Sequence, residues 1–176
     1  MNVAALLPAY AAEHHPGLSA AMNGVLLAVY QVTFFISAPI VGLYMGLVGR
    51  KNCIGYGVIA LSLATGMFSM AALFTHQWNF YWFSCFARGL QGIGDGMAYI
   101  TIVSVTSLEF PENNEVYQGY LNMALGAGFC VGPALAAILI RWFGYLGTNL
   151  IFAALIMIIG LGGVFLLPAR INENQS

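Results

Sequence analysis

Charged side chains are scarce in this sequence of 176 residues. Five Lys or Arg and six Asp or Glu amount to 6% of the chain, whereas a soluble domain carries about 25%. So few charges could not cover the surface of a soluble fold of this size. The mean hydropathy is correspondingly high, at +0.83. These values exclude a soluble enzyme and a disordered tail.

Basic residues and metal ligands are few as well. The formal net charge is −1, so the sequence offers no basic surface for nucleic acid or anionic lipid. Its three cysteines lie too far apart for a metal site. Glu13, His14 and His15 are clustered, but adjacent histidines cannot both face one ion from a helix. We therefore predict no nucleic-acid partner, no metal and no cofactor.

Long apolar runs, by contrast, fill most of the chain. Short polar islands separate five stretches, each long enough to cross a hydrocarbon core about 30 Å thick. They lie at 24–46, 54–74, 80–108, 118–140 and 146–168. Because the loops are short, neighbouring helices should run antiparallel in one bundle. The predicted fold class is an all-α, polytopic membrane helical bundle, embedded in the lipid bilayer of a plasma or intracellular vesicle membrane.

The first 20 residues form a shorter apolar segment. The stretch 3–12 is about half the length that a crossing requires, and it contains Pro8. It also lacks the basic flank of a signal peptide. We interpret residues 1–20 as the end of a truncated helix and its loop, with a short re-entrant or interfacial segment as the alternative.

Two charged residues fall inside the third span. A charge at membrane depth costs from about 3 to more than 10 kcal/mol, so it usually faces a cavity or a partner. Asp95 follows Arg88 by seven residues, on the same helix face and about 10 Å away. Asp95 is a candidate proton carrier or counter-ion for a cationic substrate. Alternatively, Arg88 and Asp95 each pair with neighbouring helices and fix the bundle geometry.

Glycines mark the end of the first span and the turn that follows. Gly42 and Gly46 share a helix face on which another backbone can approach closely. Gly49 permits a tight turn before Arg50 and Lys51. The excess of Lys and Arg in this loop and at Arg170, against Arg141 alone on the other side, predicts that the turn is cytoplasmic. A generic basic turn between helices explains the same residues.

Small residues also mark two later helices. Gly92 and Gly96 fit close helix packing in the third span. Gly128 and Gly132 continue such a stripe in the fourth span, where Pro133 removes a backbone hydrogen bond. This second stripe predicts either a bendable contact surface or plain helix packing. Uncharged polar residues such as Tyr30, Gln31 and Asn122 in the spans bond more often to other helices than to ligands.

At these motifs the chain resembles the N-terminal half of a major facilitator superfamily transporter. The segment from Gly42 to Lys51 resembles the loop motif between the second and third helices, Gly-x-x-x-Asp-x-x-Gly-Arg-Lys, with Gly46 in place of the Asp. Arg88-x-x-Gln91-Gly92-x-Gly94 is similar to the fourth-helix motif, and Gly128-x-x-x-Gly132-Pro133 to the fifth-helix motif of antiporters. Asp95 stands where a small residue is usual.

The resemblance implies a domain and a function. The five spans become helices two to six, and residues 1–176 a partial N-terminal six-helix domain whose first helix is cut short. The resemblance also implies secondary active transport by alternating access. The implied activity is proton-coupled antiport of an organic cation that is amine-like or drug-like, without enzymatic chemistry.

The resemblance further implies roles for individual residues. The substrate and proton pathway comprises Arg88, Asp95, Gln91, Tyr30, Gln31 and Asn122. The cytoplasmic gating loop comprises Gly42, Gly46, Gly49, Arg50 and Lys51, and the packing and hinge positions are Gly92, Gly96, Gly128, Gly132 and Pro133. A missing C-terminal half or a second copy would complete the transporter. The alternative is a truncated, non-transporting subunit with a structural or regulatory role.

Overall fold

The computed structural model describes residues 17–172, and this part of the chain is helical without any strand. Its elements are α1 (Ala20–Val48), α2 (Arg50–Met70), a 3-10 turn (Ala71–Leu73), α3 (Gln77–Glu109), α4 (Asn114–Leu166) and a second 3-10 turn (Ala169–Asn172). The all-α class is thereby confirmed. The truncated helix predicted before residue 17, and the Glu13, His14 and His15 cluster, lie outside the described residues.

Three stretches of the described chain are long and apolar enough to cross a membrane: Ala20–Val48, Arg50–Leu73 and Asn114–Leu166. Polar residues lower the hydropathy of α3, which is not among them. The 53-residue α4 would be about 80 Å long if straight. It is broken at Gly144, where φ is 64° and ψ is −175°, inside the predicted island between the last two spans. The count of five spans stays a prediction.

The turn between α1 and α2 is short because a glycine forms it. Gly49 has φ 88°, a value that side chains with a Cβ rarely adopt. Its N–H donates to Met45 O at 3.1 Å, and its own carbonyl accepts from Cys53 N at 2.9 Å. The last turn of α1 and the first turn of α2 therefore share one residue. At its other end α1 is capped by Ser19, the residue before Ala20, whose hydroxyl accepts a hydrogen bond from Met22 N at 3.2 Å.

The centre of the bundle is α3, which packs against both α1 and α2. The part of α4 after Gly144 packs against α2, where Ser62 Oγ donates to Ala153 O and Ser69 Oγ donates to Leu146 O. Two glycines bring α2 and α3 together: a Cβ on Gly57 would lie 2.6 Å from Ala98 N, and one on Gly94 would lie 2.6 Å from Leu61 N. The two backbones are in direct contact there, so no side chain fits between them.

A methyl group at this contact should be strongly destabilising. We expect Gly94→Ala to lower the free energy of unfolding by about 1–3 kcal/mol, because overpacking a rigid contact shifts the backbone. Gly42→Ala is the matched control, since a Cβ there meets nothing within 4 Å. Both glycines are helical, so alanine improves helix propensity equally at each. Thermal unfolding of the two purified variants checks this. Equal unfolding temperatures for the two variants would contradict the close contact between α2 and α3 at Gly94.

The part of α4 before Gly144 has little to pack against within the described residues. Residues 122–131 are all exposed, and a Cβ on Gly128 would meet nothing within 4 Å. A Cβ on Gly42 or Gly46 would likewise meet nothing within 4 Å. These glycines therefore mark no close helix contact in the described part of the chain. The non-helical backbone angles of α4 are at Gly144, and a hinge at Pro133 stays a prediction.

Candidate substrate and proton cavity

A cavity of about 600 Å³ lies between the four helices. Most of its wall is apolar, including Phe34, Leu61 and Phe152. The polar lining residues are Tyr30, Gln31, Thr65, Arg88, Gln91, Asp95, Tyr99 and Asn149. Five of the six residues predicted for the substrate and proton pathway thus border one space. An apolar cavity with a few convergent polar groups is the usual form of a small-molecule site.

Asn122 is the exception among the predicted pathway residues. It lies on the exposed face of α4, and the cavity is bordered instead by its neighbours Leu121 and Leu125. One residue along a helix turns the side chain by about 100°, which is enough to take Asn122 off the wall. Its assignment to the pathway stays a prediction.

Asp95 is held by a residue of a different helix. The hydroxyl of Tyr30 in α1 donates a hydrogen bond to the Asp95 carboxylate in α3. Gly92 and Gly96, three residues before and one residue after Asp95, make this bond possible. A Cβ at Gly92 would collide with Thr33 Oγ1 and Tyr30 O, and one at Gly96 with Ser37 Oγ. The absence of side chains there lets α1 come close enough for the tyrosine to reach the acid.

Arg88 is buried but has no anionic partner among its recorded contacts. It is 4% exposed, and its guanidinium donates to Gln91 Oε1 at 3.0 Å. The guanidinium carbon lies 5.1 Å from the ring centre of Phe68 and 5.7 Å from that of Tyr30, within the range of cation–π attraction. Arg88 Nε is buried without a hydrogen-bond partner in the described structure.

Gln91 connects this arginine to α2. Its Nε2 donates to Thr65 Oγ1 at 3.0 Å, and the Thr65 hydroxyl donates to Leu61 O at 2.7 Å. The amide thus has a single possible orientation, with its oxygen toward Arg88 and its nitrogen toward the threonine. Arg88 and Asp95 therefore take separate, neutral partners and do not neutralise each other by direct contact. The cavity thus contains one basic and one acidic side chain that are not paired with each other.

The sequence prediction missed Asn149, although it lies inside the span predicted for residues 146–168. Its side chain is fully buried and borders the cavity. The signal that selected Asn122, an amide within an apolar run, applied equally to Asn149. Only the position of the helix relative to its neighbours distinguishes the two. Thr65, which fixes Gln91, carried no stronger signal than the other hydroxyl residues of the spans.

The predicted gating loop is bonded to the end of the described chain. Lys51 Nζ donates to Leu167 O at 2.5 Å, and the Lys51 N–H donates to Asn172 Oδ1 at 2.9 Å. The same amide oxygen lies 2.9 Å from where a Cβ on Gly49 would be. The turn between α1 and α2 is therefore held against the last 3-10 turn. A gating role for it remains a prediction.

The sequence-family model of the Major Facilitator Superfamily matches residues 1–175 of the chain. The chain belongs to this superfamily. It is thus an integral, multi-pass membrane protein of a transporter family. The motif resemblance seen in the sequence is confirmed at the level of the superfamily.

Relatives within the superfamily are transporters and resistance proteins. The chain is 26% identical to multidrug resistance protein 2 of Bacillus subtilis over 90% of its own length and 38% of that protein. It is 27% identical to the human synaptic vesicular amine transporter over 86% of its own length and 29% of that protein. It is 30% identical to the class E tetracycline resistance protein of Escherichia coli over 97% of its own length and 40% of that protein. The chain thus spans less than half the length of these relatives. No solved structure matches it significantly.

Proposed function

We propose that this chain is the N-terminal helical half of a secondary transporter that exchanges a small organic cation for protons. The described helices would be helices two to six of that half, with α4 supplying the last two. Asp95 would take either the proton or the cation, and Arg88 would set the positive potential of the cavity. Gly49, Arg50 and Lys51 would belong to the cytoplasmic gate, and a second half or a second copy would complete the translocation path.

One observation carries this proposal: a single carboxylate, held by the Tyr30 hydroxyl, borders a cavity whose wall is otherwise largely apolar. A carboxylate in such surroundings attracts a positively charged group, which an organic cation can supply. The apolar wall suits the hydrocarbon part of a cation. The names of the relatives, which include multidrug and amine transporters, support the same class of substrate.

Exchange across a membrane tests the proposal. Radiolabelled hexyltrimethylammonium is a suitable probe because it is permanently charged and cannot cross as a neutral base. We expect it to accumulate in proteoliposomes whose lumen is acidic relative to the outside, with the membrane potential clamped at zero. Two preparations are compared, the 176-residue chain alone and the chain extended by whatever its flanking genomic sequence encodes.

The two preparations distinguish the possible assemblies. Accumulation by the chain alone would indicate a complex of two copies, and accumulation by the extended chain alone would indicate a second half. Accumulation by neither would overturn the transport proposal. It would favour the second candidate, a non-transporting subunit with a structural or regulatory role.

A further inference from the structure

Asn149 has a hydrogen-bonding atom that the fold leaves unused. Its side chain is 0% exposed, and its Nδ2 donates to Tyr145 O at 3.0 Å. Because a backbone carbonyl can only accept, the amide nitrogen must face Tyr145 and Oδ1 must point elsewhere. Oδ1 is buried and has no hydrogen-bond partner in the described structure. Such an atom is costly to bury, so its retention needs an explanation.

Asn149 is one of the residues that border the cavity. Two hydrogen bonds fix this part of α4 against α2: Ser62 Oγ donates to Ala153 O at 2.7 Å, and Ser69 Oγ donates to Leu146 O at 2.6 Å. Asn149 lies between these two carbonyls in α4, as Thr65 lies between the two serines in α2. Asn149 therefore lies in a part of α4 that is held against α2, opposite the part of α2 that contains Thr65.

Arg88 contributes the complementary atom. Its Nε is a donor only, it is buried, and it too is unpartnered in the described structure. Arg88 and Asn149 border the same cavity, so two residues of one wall carry an unused donor and an unused acceptor. A hydroxyl group satisfies both at once, because it donates one hydrogen bond and accepts others. A plain alkyl group satisfies neither.

We propose that Asn149 Oδ1 and Arg88 Nε bind a hydroxyl group on the substrate, at the end of the molecule opposite its cationic group. This inference rests on the proposed function, in which Asp95 holds the cationic end. Asp95 is seven residues from Arg88 along α3, or about 10 Å, so one extended molecule can reach both ends. The cavity then selects hydroxylated cations over alkyl cations of the same charge.

Two matched cations test the proposal on the purified chain. One is hexyltrimethylammonium, and the other is its (6-hydroxyhexyl) analogue, which has the same charge and one added hydroxyl. Their affinities are measured by displacement of the labelled parent cation. We expect the hydroxylated cation to bind about tenfold more tightly or better, because it pairs buried polar groups that the parent leaves unpaired. Asn149→Leu should bring the ratio to about one or lower.

Ser84→Ala is the control. Ser84 is also 0% exposed with an unpartnered Oγ, but it does not border this cavity, so the variant should keep the wild-type ratio. If Asn149→Leu is not monodisperse, Asn149→Ala replaces it.

The outcomes separate this inference from the proposed function. Equal affinities in the wild type, as expected if a water molecule satisfies the two atoms, would overturn the inference alone. A ratio unchanged in both Asn149 variants would do the same. If neither cation binds, the proposed cation site is wrong and the inference fails with it.

Discussion

Asp95→Asn should abolish the exchange of cation for protons. The substitution removes the negative charge but keeps the shape, and the Tyr30 hydroxyl that now donates to the carboxylate can donate to the new amide oxygen as well. Opposite charges about 4 Å apart attract by about 4 kcal/mol at an effective dielectric constant of 20. We therefore expect the affinity for hexyltrimethylammonium to fall by about 100-fold or more. The remaining binding should not depend on pH, since the group that exchanges the proton is gone.

The measurement is displacement of the labelled cation from the purified variant over a range of pH values, followed by the exchange assay in proteoliposomes. Glu112→Gln is the matched control, because it makes the same chemical change in the exposed loop before α4 and should behave as wild type. Thermal unfolding of Asp95→Asn should remain close to wild type. Unchanged pH-dependent binding in Asp95→Asn would remove Asp95 from the mechanism.

The Arg88→Met variant should bind the cation more tightly and release it more slowly than the wild type does. Arg88 is buried and its partners are an amide and two aromatic rings, so within residues 17–172 no anion is in contact with it. At about 10 Å, a unit charge repels a cation by about 1.7 kcal/mol at an effective dielectric constant of 20. Removing it should tighten cation binding about 15-fold. Exchange should slow at least about tenfold, because the bound state becomes the resting state.

Arg88→Lys is the matched control, since it keeps the charge but not the planar guanidinium. It should retain wild-type cation affinity more closely than Arg88→Met does. The competing explanation, in which Arg88 only fixes the bundle geometry, predicts that both variants unfold at lower temperature and that neither binds the cation more tightly. Cation affinity and unfolding temperature measured on the same samples decide between the two.

Local features of the sequence predicted the helices and the charged site residues. Apolar run length gave the extents of α1, α2 and α3 to within a few residues, and Gly49 placed the turn between the first two. Arg88 and Asp95 were found because charges are costly in hydrocarbon, a property that each residue carries by itself. The helix break at Gly144 also fell between the spans predicted at 118–140 and 146–168.

Features that depend on two distant segments could not be predicted in this way. The partner of Asp95 is Tyr30, 65 positions earlier, and their contact depends on the missing side chains of Gly92 and Gly96. Spacing identified those two glycines as packing residues but did not say which helix they face. For the same reason the sequence did not indicate that Asn149, rather than Asn122, borders the cavity. Both are amides in apolar runs, and only the rotation of α4 against the other helices separates them.

Reversal of the proton gradient tests the central claim most directly. Proteoliposomes containing the preparation that is active in exchange are preloaded with labelled hexyltrimethylammonium, and the membrane potential is clamped at zero. With an alkaline lumen, protons flow inward, so antiport should drive the cation outward until its internal concentration falls below the external one. With an acidic lumen the cation should accumulate instead. If the direction of cation movement does not reverse with the gradient, the cation is not exchanged for protons and the account is wrong.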